Sequence, residues 1–134
     1  MLEIRLKLQN DLRELARVNQ LASDFLARES LPEETVYATH LALEEILSNV
    51  IRHGYTEAGR HEISVRLRLE AGEVDLVVED DGREFDPLSA PPPDVHRPLE
   101  ERKVGGLGVH LLRTMASEVR YNRTDGRNHL YVRI

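Results

Sequence analysis

Leu43-Glu44-Glu45-Ile46-Leu47-Ser48-Asn49-Val50-Ile51-Arg52-His53-Gly54 ends a long amphipathic helical pattern. Val36, Leu43, Leu47 and Val50 gather on one side of that helix, with Ile46 and Ile51 at the margins. Glu45 and Asn49 lie opposite, one turn apart and offset by about 40° around the axis. The default for such a pair is a solvated face. Ala38 and Ala42 flank the same line, however, and leave that face small as well as polar, which suits a cavity wall. Glu44 points about 100° away from Glu45. Upstream, Ser30-Leu31-Pro32-Glu33 reads as a capping box with proline in the first turn, and Gly54 as the stop after His53.

Outward from this helix the pattern is one of strands. Leu2, Ile4, Leu6 and Leu8 alternate with polar residues, the signal of a strand. Asn10 or Asp11 can cap a helix to about Arg28, carried by Leu12, Leu15, Val18, Leu21, Ala22 and Phe25. Beyond Gly54 the spacing predicts strands Glu62–Leu69 and Val74–Glu79 joined in a hairpin at Ala71-Gly72. Five of the six prolines fall between Pro87 and Pro98, a stretch too stiff for a helix and too poor in apolar residues for a strand. Loops of that length are usually lids, binding loops or disordered segments. A helix is expected from near Gly106 to about Ser117, then a hairpin of Val119–Thr124 and His129–Ile134 around Asp125-Gly126. The order βααββ–loop–αββ favours an α+β two-layer sandwich over a doubly wound sheet.

Composition narrows the function classes. The chain has 134 residues, enough for one domain with a single core. A net charge of −6 leaves no basic patch to neutralise phosphates along a nucleic acid. There is no cysteine, so disulfides and thiolate zinc sites are excluded. The start, Met1-Leu2-Glu3-Ile4-Arg5, lacks an apolar signal core, and no run approaches the roughly 18 apolar residues of a membrane span, so the expected location is the cytoplasm. The six histidines show no paired metal-ligand spacing.

Two further motifs carry chemistry. Asp80-Asp81-Gly82 ends the apolar run Leu76-Val77-Val78; its bland reading is a turn. A carboxylate there could also accept the exocyclic amino hydrogen of adenine, while Gly82 lets backbone approach the ring. Gly105-Gly106-Leu107-Gly108 opens the third helix; its bland reading is a hinge. Glycine costs a helix about 1 kcal/mol each, and a helix N-terminus stripped of Cβ atoms is an anion site, to which Lys103 could add charge. No Gly-Lys-Ser/Thr follows, so this is not the P-loop pattern. Asn49 could present its carbonyl oxygen to Mg²⁺, and Glu45 could act as general base. An acid, an amide, an isolated aspartate and a glycine-rich helix start, in this order, are what a magnesium–ATP pocket needs. The expectation is ATP binding and movement of the terminal phosphate.

Together these segments resemble the GHKL ATPases, the group of gyrase, Hsp90, the histidine kinases and MutL. Leu43–Gly54 looks like their N box, and its ending Asn-x-x-x-His-Gly-Tyr is most similar to the bacterial anti-sigma-factor serine/threonine kinases. Asp80-Asp81-Gly82 with Phe85-Asp86-Pro87 resembles their first glycine box, and Gly106-Leu107-Gly108 the second. The resemblance implies the Bergerat ATP-binding fold: a single domain over 1–134, helices on one face of a mixed β-sheet, and a proline-rich lid at about 86–104. It implies that Glu45 activates a target serine or threonine, Asn49 holds Mg²⁺, Asp80 reads adenine, and Gly105, Gly106, Leu107 and Gly108 cradle phosphates. His53, Gly82, Phe85 and Lys103 join the implied nucleotide contacts. The implied partners are an anti-sigma antagonist of the STAS type and a sigma factor, and the implied assembly is a homodimer.

The chain departs from the family pattern at three places. Glu84 stands where the first box usually has its second glycine, Val104 where many kinase relatives have arginine, and Gly126-Arg127-Asn128 lacks the threonines often found there. Glu84 and Val104 keep a second reading open, a non-catalytic ATP-binding module that sequesters a protein partner. A third, the ATPase half of a split histidine kinase, would need a separate phosphoacceptor.

Overall fold

The computed structural model describes residues 1–56, 59–86 and 112–134. Its elements are β1 (Leu2–Gln9), α1 (Leu15–Leu26), α2 (Glu33–His53), β2 (Glu62–Glu70), β3 (Glu73–Asp80), β4 (Glu118–Thr124) and β5 (Arg127–Arg133). The strands form one sheet in the order β1-β2-β3-β5-β4. Both helices pack on one face of it, giving the expected α+β two-layer sandwich.

The sheet is antiparallel at every pairing, which corrects the mixed sheet implied by resemblance. Two of the pairs are tight hairpins, which can only be antiparallel. The pair β1–β2 is joined through both helices. These run antiparallel to each other, as Asn19 meeting Glu44 and Ser23 meeting His40 show. An antiparallel helix pair returns the chain to the end of the sheet it left, so β2 must run back along β1.

Alternation sorts the strands into a buried and a solvated face. Ile63, Val65, Leu67 and Leu69 of β2 and Val74, Leu76 and Val78 of β3 point inward and are buried. Val18, Ala22, Phe25 and Leu26 of α1 and Ala42, Leu43, Ile46 and Leu47 of α2 meet them. Each large apolar side chain so buried contributes about 1.5–3 kcal/mol. The outward phase is charged and cross-linked, as in Arg133–Asp75 at 2.8 Å, Arg127–Glu79 at 3.3 Å and Arg66–Glu3 at 3.4 Å.

Both hairpins turn on two residues of positive φ, Ala71 (53°) with Gly72 (78°) and Asp125 (54°) with Gly126 (72°). That is the turn whose twist matches the strands. Other local expectations shift. Asp11 does cap, accepting the Arg13 N–H at 2.9 Å, but it caps a 3₁₀ turn, and the α-helix begins only at Leu15. The capping box at Ser30 is not made. Pro32 takes the cap position of α2 without a side-chain bond, because the proline already presets extended backbone there. Gly54 does end α2, its N–H bonded to the Val50 carbonyl at 2.8 Å. Of the third predicted helix, residues 112–115 are helical and described. The last strand begins at Arg127, two residues earlier than expected. No helix among the described residues is long and apolar enough to cross a membrane.

Candidate functional site

The C-terminal half of α2 lies over the ends of β3 and β5 and encloses a cleft. From α2 come Glu45, Asn49 and His53; from β3 and the turn beyond it come Asp80, Arg83 and Phe85; from β4 and β5 come Tyr121 and Asn128. Ile46, Val50, Val78, Leu112 and Leu130 make the remaining wall apolar. A few converging polar groups on an apolar wall are what a small-molecule site requires.

Asp80 occupies the inward phase of β3, the next inward position after Val78, and is only 4% exposed. A carboxyl placed there must be hydrogen-bonded. Its Oδ1 accepts the Gly82 N–H at 2.9 Å and the Asn128 Nδ2 at 3.0 Å. Asn128 is its cross-strand partner in the β3–β5 register. Among the described residues Oδ2 accepts no hydrogen bond.

The expected close approach at Gly82 is real, but backbone makes it. A Cβ on Gly82 would sit 2.6 Å from the Gly54 carbonyl oxygen and 2.9 Å from Asp80 Oδ1. The Gly54 carbonyl in turn accepts the Arg83 N–H at 2.7 Å. The end of α2 is thus bonded to the turn after β3, and this contact brings the helix residues alongside Asp80.

Glu45 is half-buried at the cleft, while Glu44 is exposed and accepts from Asn19 on α1. Burial holds the Glu45 carboxyl above the ordinary carboxylate range, the like charge of Glu44 adds to the effect, and Arg52 opposes it. A raised carboxyl pKa is what a general base working near neutral pH needs. Beside Asp80, Tyr55 stacks on His61 with ring centroids 4.4 Å apart. Its hydroxyl is buried without a hydrogen-bond partner among the described residues. Burial first, and then the Asp80 and Asp81 carboxylates, push that hydroxyl well above its usual range.

Of the residues singled out from sequence, Glu45, Asn49, His53, Asp80 and Phe85 meet in the cleft, while Gly82 does not line it but donates its N–H to Asp80. Lys103, Gly105, Gly106, Leu107 and Gly108 lie outside the described residues, as does the lid except for Asp86. Ala38 and Ala42 do not form the cavity wall. Both are buried in the core at 4% and 0% exposure, while Val50, read as part of the opposite stripe, lines the cleft. Sequence reasoning missed Arg83, Tyr121, Arg123 and Asn128. One signal was available: Asn128 is a polar residue in the inward phase of β5, shared with Leu130 and Val132.

Among the described residues no cluster of three or more histidine, aspartate or glutamate side chains could hold a metal ion. The donor set fits magnesium only as Asn49 with ligand phosphates and water, the mode Mg²⁺ prefers.

The family described as the histidine kinase-like ATPase domain matches residues 8–134. The serine/threonine-protein kinase BtrW of Bordetella bronchiseptica is 36% identical over 90 residues, 67% of this chain and 63% of that protein. The serine-protein kinase RsbW of Halalkalibacterium halodurans is 31% identical, covering 64% of this chain and 54% of that protein. RsbW of Bacillus subtilis is 28% identical, covering 64% and 56%. The matched stretch thus spans less than two thirds of these relatives' own lengths. The crystal structure of the RsbU and RsbW domains of a Mycobacterium tuberculosis protein superposes over 99% of this chain and 32% of that one, with a TM-score of 0.69 and 18% identity. That likeness is one of fold.

Proposed function

Because the chain belongs to the family of histidine kinase-like ATPase domains, we propose that its cleft binds ATP with Mg²⁺ and passes the terminal phosphoryl group to a protein serine or threonine. The single observation that carries this reading is the convergence of Glu45, Asn49 and Asp80, remote in sequence, on one cleft. In this reading the exocyclic amine of adenine donates to Asp80 and the ring lies against Ile46, Val50, Val78 and Leu130. The Asn49 amide oxygen would be the protein's ligand to the magnesium, which would neutralise charge on the phosphates. His53 and Phe85 close the cleft, and Lys103 with Gly105–Gly108 holds the phosphate tail.

Transfer needs little covalent chemistry from the protein. The substrate hydroxyl oxygen forms a bond to the terminal phosphorus, Glu45 takes the hydroxyl proton, and the bond from that phosphorus to ADP breaks. Positioning and charge neutralisation supply most of the acceleration. Similarity to the RsbW and BtrW kinases supports a protein substrate. We infer an anti-sigma antagonist of the STAS type as that substrate, a sigma factor as a second partner, a homodimeric assembly and a cytoplasmic setting.

The test is incubation with labelled Mg-ATP and a STAS-type antagonist. Label appears on serine or threonine of the partner with wild type and not with Glu45→Gln. A protein that binds ATP but labels no partner fits the second reading, nucleotide-dependent sequestration, which Glu84 in place of the second glycine favours.

A further inference from the structure

Four side chains form a hydrogen-bonded chain between α1 and α2, and none of them lines the nucleotide cleft. The Ser23 hydroxyl lies 3.0 Å from His40 Nε2, and His40 Nδ1 lies 3.3 Å from Asn19 Oδ1. Asn19 Nδ2 donates to Glu44 Oε2 at 3.3 Å. Ser23 and His40 are both half-buried. A hydroxyl inside a helix often bonds back to its own helix, as Thr39 does to the Thr35 carbonyl at 2.8 Å. Ser23 reaches across to the neighbouring helix instead.

The far end of this chain sets the protons at the near end. An ionised carboxylate only accepts, so Glu44 turns the Asn19 amide nitrogen towards itself and the amide oxygen towards His40. The ring nitrogen facing that oxygen, Nδ1, must carry hydrogen. In the neutral imidazole Nε2 then holds the lone pair, and the Ser23 hydroxyl donates to it. A hydroxyl on a base that a third group orients is the arrangement that activates a serine for attack on an acyl carbon. Ser23 lies within α1, whose backbone N–H groups there are spent on the helix and not on an oxyanion. The arrangement therefore suits a single covalent modification rather than repeated turnover.

We propose that Ser23 is a covalent modification site, a nucleophile activated by His40 that takes an acyl group from small activated acyl donors such as acyl phosphates and aryl esters. Ser23 Oγ forms a bond to the carbonyl carbon and its proton passes to His40 Nε2. The bond from that carbon to the phosphate or phenolate oxygen breaks, and the leaving group departs with the electron pair. Asn19 and Glu44 are positioning residues that hold the ring with Nε2 free. The site is independent of the nucleotide reading of the cleft.

The experiment incubates the full chain with para-nitrophenyl acetate. Absorbance reads nitrophenolate release, peptide mass spectrometry maps the acetyl group, and circular dichroism follows folding. Wild type is expected to release about one equivalent in a burst and to carry the acetyl group on Ser23. Its rate rises with pH as a histidine loses its proton. His40→Gln, which cannot take the proton, slows the burst by about 10²–10⁴-fold and removes that pH dependence. Glu44→Ala, at an exposed position, slows it less. Acetyl groups on lysines and the N-terminus with Ser23 unmodified overturn the proposal, as does a Ser23 burst undiminished in folded His40→Gln. Should His40→Gln not fold, Glu44→Ala decides, and an unchanged burst rate there overturns the proposal. A chain that only tied the helices together would lose stability in these variants with no acylation of Ser23 to lose.

Discussion

The Gly54 carbonyl accepts the Arg83 N–H at 2.7 Å, and no Cβ could stand between the two chains at Gly82. This junction joins the end of the helix bearing Glu45 and Asn49 to the end of the strand bearing Asp80. Gly82→Ala should therefore strain the backbone rather than a movable side chain, since its nearest neighbour is the Gly54 oxygen at 2.6 Å. A loss of about 1–3 kcal/mol in urea unfolding is expected, the usual cost of overpacking. Nucleotide affinity should fall with it.

Glu45→Gln removes the proposed base while keeping the shape of the side chain. Phosphoryl transfer should drop by about 10²–10⁴-fold with ATP affinity little changed. In wild type the rate should rise with pH through a value above the ordinary carboxylate range, because burial raises this carboxyl.

The same shift has a stability consequence of fixed sign. A carboxyl whose folded pKa is raised binds its proton more tightly in the native state, so stability falls as pH climbs from the unfolded to the folded pKa. Glu45→Gln should thus melt higher than wild type near neutral pH, and the difference should shrink on acidification. Thermal scans across that window check it.

Ala71 takes φ 53° in the β2–β3 turn without the side chain that position favours. Ala71→Asn should stabilise the fold by about 0.5–1 kcal/mol, since asparagine tolerates the left-handed region that costs an ordinary residue about 1–2 kcal/mol. Chemical denaturation reads the gain, and ATP affinity should stay as it was, because the turn lies at the far end of β3 from Asp80.

Asn49→Ala should spare nucleotide binding without metal and remove its strengthening by magnesium. Parallel titrations with Mg²⁺ and with EDTA separate the two.

Much of the scaffold was legible because it is periodic. The alternation of Ile63, Val65, Leu67 and Leu69 and the turn pairs Ala71-Gly72 and Asp125-Gly126 state their structure locally. Glu45, Asn49 and Asp80 could be picked out by type and spacing. What could not be read was how strands pair across long connections. Only the placement of β5 between β3 and β4 sets Asn128 opposite Asp80 and brings Tyr121 and Arg123 to it. Ala38 and Ala42 failed for a related reason, because a small residue at the edge of a helical stripe serves a cavity and a tightly packed core equally well, and the sheet took them into the core. The capping box failed because Pro32 fixed the backbone two residues after Ser30.

The central claim is that one cleft, built from α2 and the end of β3, holds a nucleotide. Isothermal titration of wild type and Asp80→Asn with ATP and magnesium tests it most directly. Saturable one-site heat in wild type, lost or strongly weakened in Asp80→Asn, is the result expected. No saturable heat in wild type, or equal binding by the two proteins, would contradict it.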